Sequence, residues 1–95
     1  MAAYMIGSTQ ISDPTAYEEY RRHVGPLVAK YGGKFVVRGG AITVLEGTWQ
    51  PTRLVVVEFP SMAALRAWYD SPEYAPLIKL RQQAAKGDLV AVEGS

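Results

Sequence analysis

The sequence predicts an α+β fold, a ferredoxin-like βαββαβ sandwich with a four-stranded antiparallel sheet and helices on one face. Three observations predict it. Short β-like blocks occur at residues 3–11, 34–47, 53–59 and 89–93. Apolar residues at spacings of three or four separate the first block from the second and the third from the fourth. Asp13-Pro14, Pro60-Ser61 and Ser71-Pro72 mark helix starts, and Gly32-Gly33 marks a helix end.

The elements follow in chain order. Residues 3–11 mix Tyr4, Ile6 and Ile11 with small polar residues and read as a first strand. The Asp13 side chain can accept from free first-turn amides, and Pro14 suits the first helical position. Tyr17, Tyr20, Val24, Leu27, Val28 and Tyr31 then define one helix face. Pro26 offers no amide to the carbonyl of Arg22, which predicts a kink. Gly32-Gly33 ends the helix by tolerating the left-handed cap. Residues 34–47 read as a long strand with a bulge or bend at Arg38-Gly39-Gly40. Residues 48–52, with Trp49 and Pro51, read as a loop, and the valine-rich block 53–59 is the most β-like run in the chain. Ser61 caps a second helix, and Ser71-Pro72 starts a further short one, on which Tyr74, Leu77, Ile78 and Arg81 form one stripe. Gly87-Asp88 is expected to turn the chain into the last strand, 89–93.

The chain of 95 residues is a single domain spanning 1–95 by size. Its apolar content of 48% is too high for disorder. The valine run is apolar on both alternating faces, so protein should cover both. Helices cover one face, and no element remains for the other. A second copy of the chain supplies the cover, predicting a two-fold homodimer with sheet facing sheet.

Composition removes several function classes. There is no Cys, which excludes disulfides, thiolate metal sites and a Cys nucleophile, and the single His excludes a multi-His cage. No bound metal or cofactor is expected. A net charge of +1 gives no field pointing to nucleic acid or anionic lipid. No basic leader and no membrane-length apolar run is visible, so a cytoplasmic protein is the expectation. Other users of the fold also fail. Copper chaperones need paired Cys. An RNA-binding sheet needs aromatic residues where the third strand is aliphatic. An acylphosphatase needs an Arg-bearing anion loop where residues 8–13 have neither Arg nor Gly. No phosphate loop or dinucleotide fingerprint occurs.

Several blocks carry a family resemblance. They are Tyr31-Gly32-Gly33, Arg38-Gly39-Gly40, Leu45-Glu46-Gly47-Thr48-Trp49, Val57-Glu58-Phe59-Pro60-Ser61, Trp68-Tyr69-Asp70-Ser71-Pro72-Glu73-Tyr74 and Val92-Glu93-Gly94. Together they span the chain, which resembles domain-of-unknown-function family thirteen-thirty, of the dimeric α/β-barrel superfamily. The resemblance implies a ferredoxin-like fold and a homodimer, and no established activity. Related dimeric barrels include cofactor-independent monooxygenases, lactone isomerases and haem-handling enzymes.

The chemistry-bearing residues each have a functional and a structural reading. Arg38 beside Gly39 and Gly40 can hold a carboxylate or phenolate, or it can pair with an acid of the chain or its partner. Glu58 alternates with Leu54 and Val56, which places it on a covered face as a general base or as the acid paired with Arg38. His23, the only imidazole, can act as a base or a single axial haem ligand, or be a half-exposed helical residue. Tyr17, Tyr20, Tyr31, Trp68 and Tyr74 fall on or near the inward helix stripes and can line an apolar cleft for an aromatic or alicyclic ligand, or be packing. Trp49 suits a contact across the dimer or a lid. Ser71 is first a helix start. Arg81 can bind an acidic ligand in the same cleft or pair with Glu46, Glu58 or Glu93.

Two functions remain. One is a cofactor-independent enzyme acting on a small aromatic or lactone-like acid in the cleft between helices and sheet. There Arg38 holds the anion, Glu58 or His23 moves a proton, and Tyr20, Trp68 and Tyr74 shape the pocket. The other is a non-catalytic small-molecule-binding or stress-associated dimeric module whose charges are structural pairs.

Overall fold

The computed structural model describes all residues, Met1–Ser95. The element order is β1 (Ala3–Ile11), α1 (Pro14–Lys30), β2 (Lys34–Arg38), β3 (Leu54–Phe59), α2 (Met62–Tyr69), α3 (Ala75–Ala84) and β4 (Ala85–Glu93). One antiparallel sheet has the order β2-β3-β1-β4. All three helices pack on one face, and the molecule is 16 Å along its shortest Cα axis, the depth of one sheet and one helix layer. This is the expected ferredoxin-like sandwich.

Local chemistry explains the helix starts. Asp13 accepts from the Ala16 amide at 3.1 Å, with Pro14 in the first turn, and Ser61 accepts from the Ala64 amide at 3.1 Å. Helix α1 continues through Pro26 and buries Tyr17, Tyr20, Val24, Leu27 and Val28. It ends where Gly32 takes a φ of +83°.

Three sequence expectations need correction. Helix α3 begins at Ala75 rather than at Ser71-Pro72, so Tyr74 stands at its N-cap and not within it. The second strand stops at Arg38 rather than at residue 47, and its irregularity lies between Phe35 and Val37 rather than at Arg38-Gly39-Gly40. Continuing the ladder would set Pro51 opposite the strand, and Pro has no amide to give. Gly39 takes a φ of +72° and turns the chain out, so residues 39–53 form a loop. Leu45 and Trp49 stand exposed on it. The last strand begins at Ala85 rather than at Leu89, with no turn at Gly87-Asp88. The carbonyl that ends α3, that of Ala84, accepts from the Ser12 and Asp13 amides at 2.8 and 3.0 Å, so helix passes straight into strand.

Alternation divides the sheet. Odd positions of β1 and β3 (Ala3, Met5, Gly7, Thr9, Val55, Val57 and Phe59) are buried on the helix side. Even positions face the other way and are half-covered at most, Gln10 being exposed. Across that open face, cross-strand neighbours Val37, Val56, Ile6 and Val90 form an apolar row over all four strands. Val90 and Val92 remain 57% and 47% exposed.

Candidate functional site

A cleft lies between the helix layer and the sheet. Met5, Val55, Val57 and Phe35 form its apolar floor, and Tyr17, Tyr20, Val24 and Val28 of α1 form its roof. Trp68 of α2 and Arg81 of α3 close one side. Gly7 sits in the floor with no side chain, so the middle of β1 contributes only backbone there. The cavity volume is about 70 Å³ for the centres of water-sized molecules, several times the space one water needs.

The cleft is aromatic, cationic and free of carboxylates. Arg21, Arg38, Arg53 and Arg81 line it, and no Asp or Glu does. Arg21 pairs with Glu18 at 3.4 Å, whereas Arg38, Arg53 and Arg81 take part in no ion pair. The Arg38 guanidinium lies 4.1 Å from the Phe35 ring centroid, and that of Arg53 lies 5.4 Å from Tyr17. Aromatic faces hold the guanidinium planes and leave their N–H edges free for oxygen acceptors.

Arg53 is also fixed by the backbone. Its carbonyl accepts from the Thr9 amide at 3.0 Å, and Thr52 Oγ1 donates to the Thr9 carbonyl at 3.0 Å. Its guanidinium occupies the space where a side chain at Gly39 would stand. Gly39 therefore positions a cleft arginine without lining the cleft.

Four buried side-chain atoms have no hydrogen-bond partner within the protein: Thr9 Oγ1, Arg53 Nε, Trp68 Nε1 and Arg81 Nη1. All four residues line this cleft. Buried polar groups are nearly always satisfied, and each orphan costs about 1–3 kcal/mol. Three of the four are N–H groups that can only donate. Their common complement is a set of oxygen acceptors.

Behind this wall the Tyr20 and Tyr74 hydroxyls meet at 2.7 Å, and Tyr74 stacks on Trp68 with ring centroids 4.4 Å apart. Burial raises both phenols above their ordinary pKa. For Tyr20 the Tyr74 hydroxyl adds to the rise, while the Arg81 guanidinium opposes it in both. Both phenols are therefore neutral hydrogen-bonding groups over the physiological range.

The expected site residues divide accordingly. Arg38, Tyr20, Trp68 and Arg81 meet in the cleft. Tyr74 is fully buried behind it and supports Tyr20 and Trp68. Gly40 has open space around it and touches nothing there. Glu58 points to the opposite, open face, where it accepts from Tyr4 Oη at 3.1 Å and pairs with Lys34 Nζ at 3.3 Å. The Glu58–Arg38 ion pair, which the sequence left open, does not form, because the two positions fall on opposite sides of the sheet. His23 is on the exposed side of α1, bonded to Glu19 at 3.0 Å. That bond, then Arg22, holds the Glu19 carboxyl below its usual pKa. Neither proposed proton carrier reaches the cleft of its own chain. Arg81 pairs with none of Glu46, Glu58 or Glu93.

Tyr17, one of the aromatics expected along the cleft, does line it, whereas sequence reasoning missed Arg53, Arg21, Thr9 and Gly7. The available signal was Gly7 on β1, which leaves room above the strand on one side.

The family model described as a domain of unknown function (DUF1330) matches residues 2–95. The chain belongs to this family. A DUF1330 chain with this fold has known structural neighbours. A protein of unknown function from Rhodopseudomonas palustris is similar at 25% identity and a TM-score of 0.76, covering 99% of this chain and 82% of that one. SnoaB, a cofactor-independent oxygenase from Streptomyces nogalater, has the same fold at 14% identity and a TM-score of 0.68, over 99% and 93% of the two chains. A dimeric ferredoxin-like protein of unknown function from Thermobifida fusca YX has a TM-score of 0.54 at 19% identity, over 97% and 88%. No curated protein matches at a significant level. No helix is long and apolar enough to cross a membrane.

Proposed function

We propose that this chain is a homodimeric cytoplasmic protein that takes a small aromatic or lactone-like acid into the cleft between helices and sheet. The observation that carries the reading is the convergence of three unpaired arginines and four orphaned polar atoms on one aromatic cavity. Such a cavity complements an apolar ring bearing oxygen anions.

Its contribution to chemistry, without a resident cofactor, is to stabilise negative charge that develops on the bound acid. Guanidinium groups held in place beforehand do this without reorganising when charge appears. An oxygenase described as cofactor-independent shares the fold, in keeping with this use of the cleft. A specific observation favours the second reading, a non-catalytic binding module. Glu58 and His23 lie outside the cleft, so no carboxylate or imidazole of the same chain faces the ligand.

The apolar row Val37, Val56, Ile6 and Val90 supports the dimer, with sheet facing sheet about a two-fold axis. A dimeric neighbour of the same fold is in keeping with this. A chain without cysteine suits a reducing compartment.

Calorimetric titration with benzoate tests the site. The wild type should bind it, and Arg38→Ala should bind it more weakly while light scattering still reports a dimer. An Arg38→Ala protein that binds normally overturns the role of Arg38. Absence of binding by the wild type to any aromatic acid overturns the reading.

A further inference from the structure

We infer that the cleft has two anionic subsites at opposite ends, so that its ligand is a dianion with two acid groups across an apolar ring. This rests on the proposed function and names the ligand class within it.

The arginines are not one cluster. Arg38 ends β2, with Val55 as its β3 partner, and Arg53 immediately precedes β3. Their guanidiniums rest on Phe35 and Tyr17 respectively. This outer pole lies at the β2–β3 edge of the sheet. Arg81 comes from α3 on the other flank. It borders the cleft beside Trp68 and also borders a separate hollow with Thr9, Leu89 and Ala85, which places it over β1 and β4. Strand spacing of about 4.8 Å puts β2 roughly 10 Å from β1. Met5, Val55 and Val57 fill the interval with apolar surface.

Each pole has its own unmet donor. Arg53 Nε is unpartnered at the outer pole, and Arg81 Nη1 and Trp68 Nε1 are unpartnered at the inner one. Arg81 is only 8% exposed, so its charge cannot be left to solvent, and no carboxylate of the chain meets it. A ligand with one acid group can satisfy one pole and must leave the other unanswered. A planar dicarboxylate answers both, its ring lying over the apolar floor between them.

Terephthalate and its monomethyl ester provide the test, because they match in length and ring and differ in one charge. Titration calorimetry at fixed ionic strength should show terephthalate binding about tenfold or more tightly than the ester, as expected for one charge-assisted contact. Arg38→Met, at an exposed position that leaves the fold intact, and Arg53→Met should each shrink that ratio. Arg81→Gln, checked by thermal melting for folding, should also shrink it. Equal affinities for the two probes overturn the two-subsite inference, as does a ratio unchanged in Arg38→Met and Arg53→Met. If the ester binds and terephthalate gains nothing, only this inference falls. If neither probe nor benzoate binds, the proposed function falls with it.

Discussion

Gly7 decides how much of the cleft is empty. A Cβ there meets only Leu89 and Met5 atoms at 3.6–3.8 Å, ordinary van der Waals contact. Gly7→Val should therefore fold at least as well as the wild type, because valine suits a strand and glycine weakens one. Its branched methyls would occupy the ligand's space. The expected result is an unchanged or raised Tm together with loss of aromatic-acid binding, read by melting and calorimetry on the same sample. Retained binding would show that the ligand sits elsewhere. The Tyr20–Tyr74 hydroxyl pair makes a second residue-scale case. Tyr20→Phe strands the buried Tyr74 hydroxyl and should cost about 1–3 kcal/mol. The double variant with Tyr74→Phe should recover part of that loss in a denaturant cycle. Both phenols are raised above their ordinary pKa in the fold, so the unfolded chain loses these protons first as pH rises. Their stabilising contribution is complete below about pH 10 and declines above it. The double Phe variant should therefore show a weaker fall of Tm between pH 10 and 11 than the wild type.

At the scale of elements, glycine plays opposite parts at the two edges of the sheet. Gly87 lies in β4 against the Ser8 carbonyl of β1, and a Cβ there would collide with backbone. Gly87→Ala should destabilise by more than about 2 kcal/mol, with β4 amides losing hydrogen-exchange protection first. Gly39 instead turns the chain at positive φ beneath Arg53. Gly39→Ala should displace that guanidinium and weaken anion binding, whereas Gly40→Ala, in open space, should leave binding unchanged in the same titration. These sites also show what was readable in the sequence. Helix α1 was legible because Asp13-Pro14 and the spacing of Tyr17, Tyr20 and Val24 agree. The start of β4 was not, because Gly87 reads as a turn when its real constraint is a close backbone approach. The end of β2 was hidden because the apolar residues Ala41, Ile42, Val44 and Leu45 look strand-like, while Pro51 denies them a partner.

For the whole molecule, the largest ambiguity was which way each strand faces. Alternation placed Glu58 with Leu54 and Val56, correctly, yet Val55, Val56 and Val57 are all apolar and leave the two faces indistinguishable. The helix layer took the odd side, so Glu58 went to the open side with Tyr4 and Lys34. The open face yields its own prediction. Val56 lies at the centre of the apolar row. Val56→Glu should convert the dimer to a monomer in light scattering, with far-UV dichroism preserved. A Val56→Glu protein that stays dimeric would sink the sheet-to-sheet arrangement.

The odd and even positions of β1 and β3 amount to two texts interleaved letter by letter on the same strands. Met5, Gly7, Val55 and Val57 write the floor of the cleft, while Ile6 and Val56 write the opposite surface. Point substitutions can edit either text alone, so the chemistry of the cleft and that of the opposite surface can change independently. Insertions have no such freedom. One extra residue in the middle of β1 would exchange the two readings beyond it, and length changes are accommodated only where neither text is written, as in the exposed loop residues 43–50.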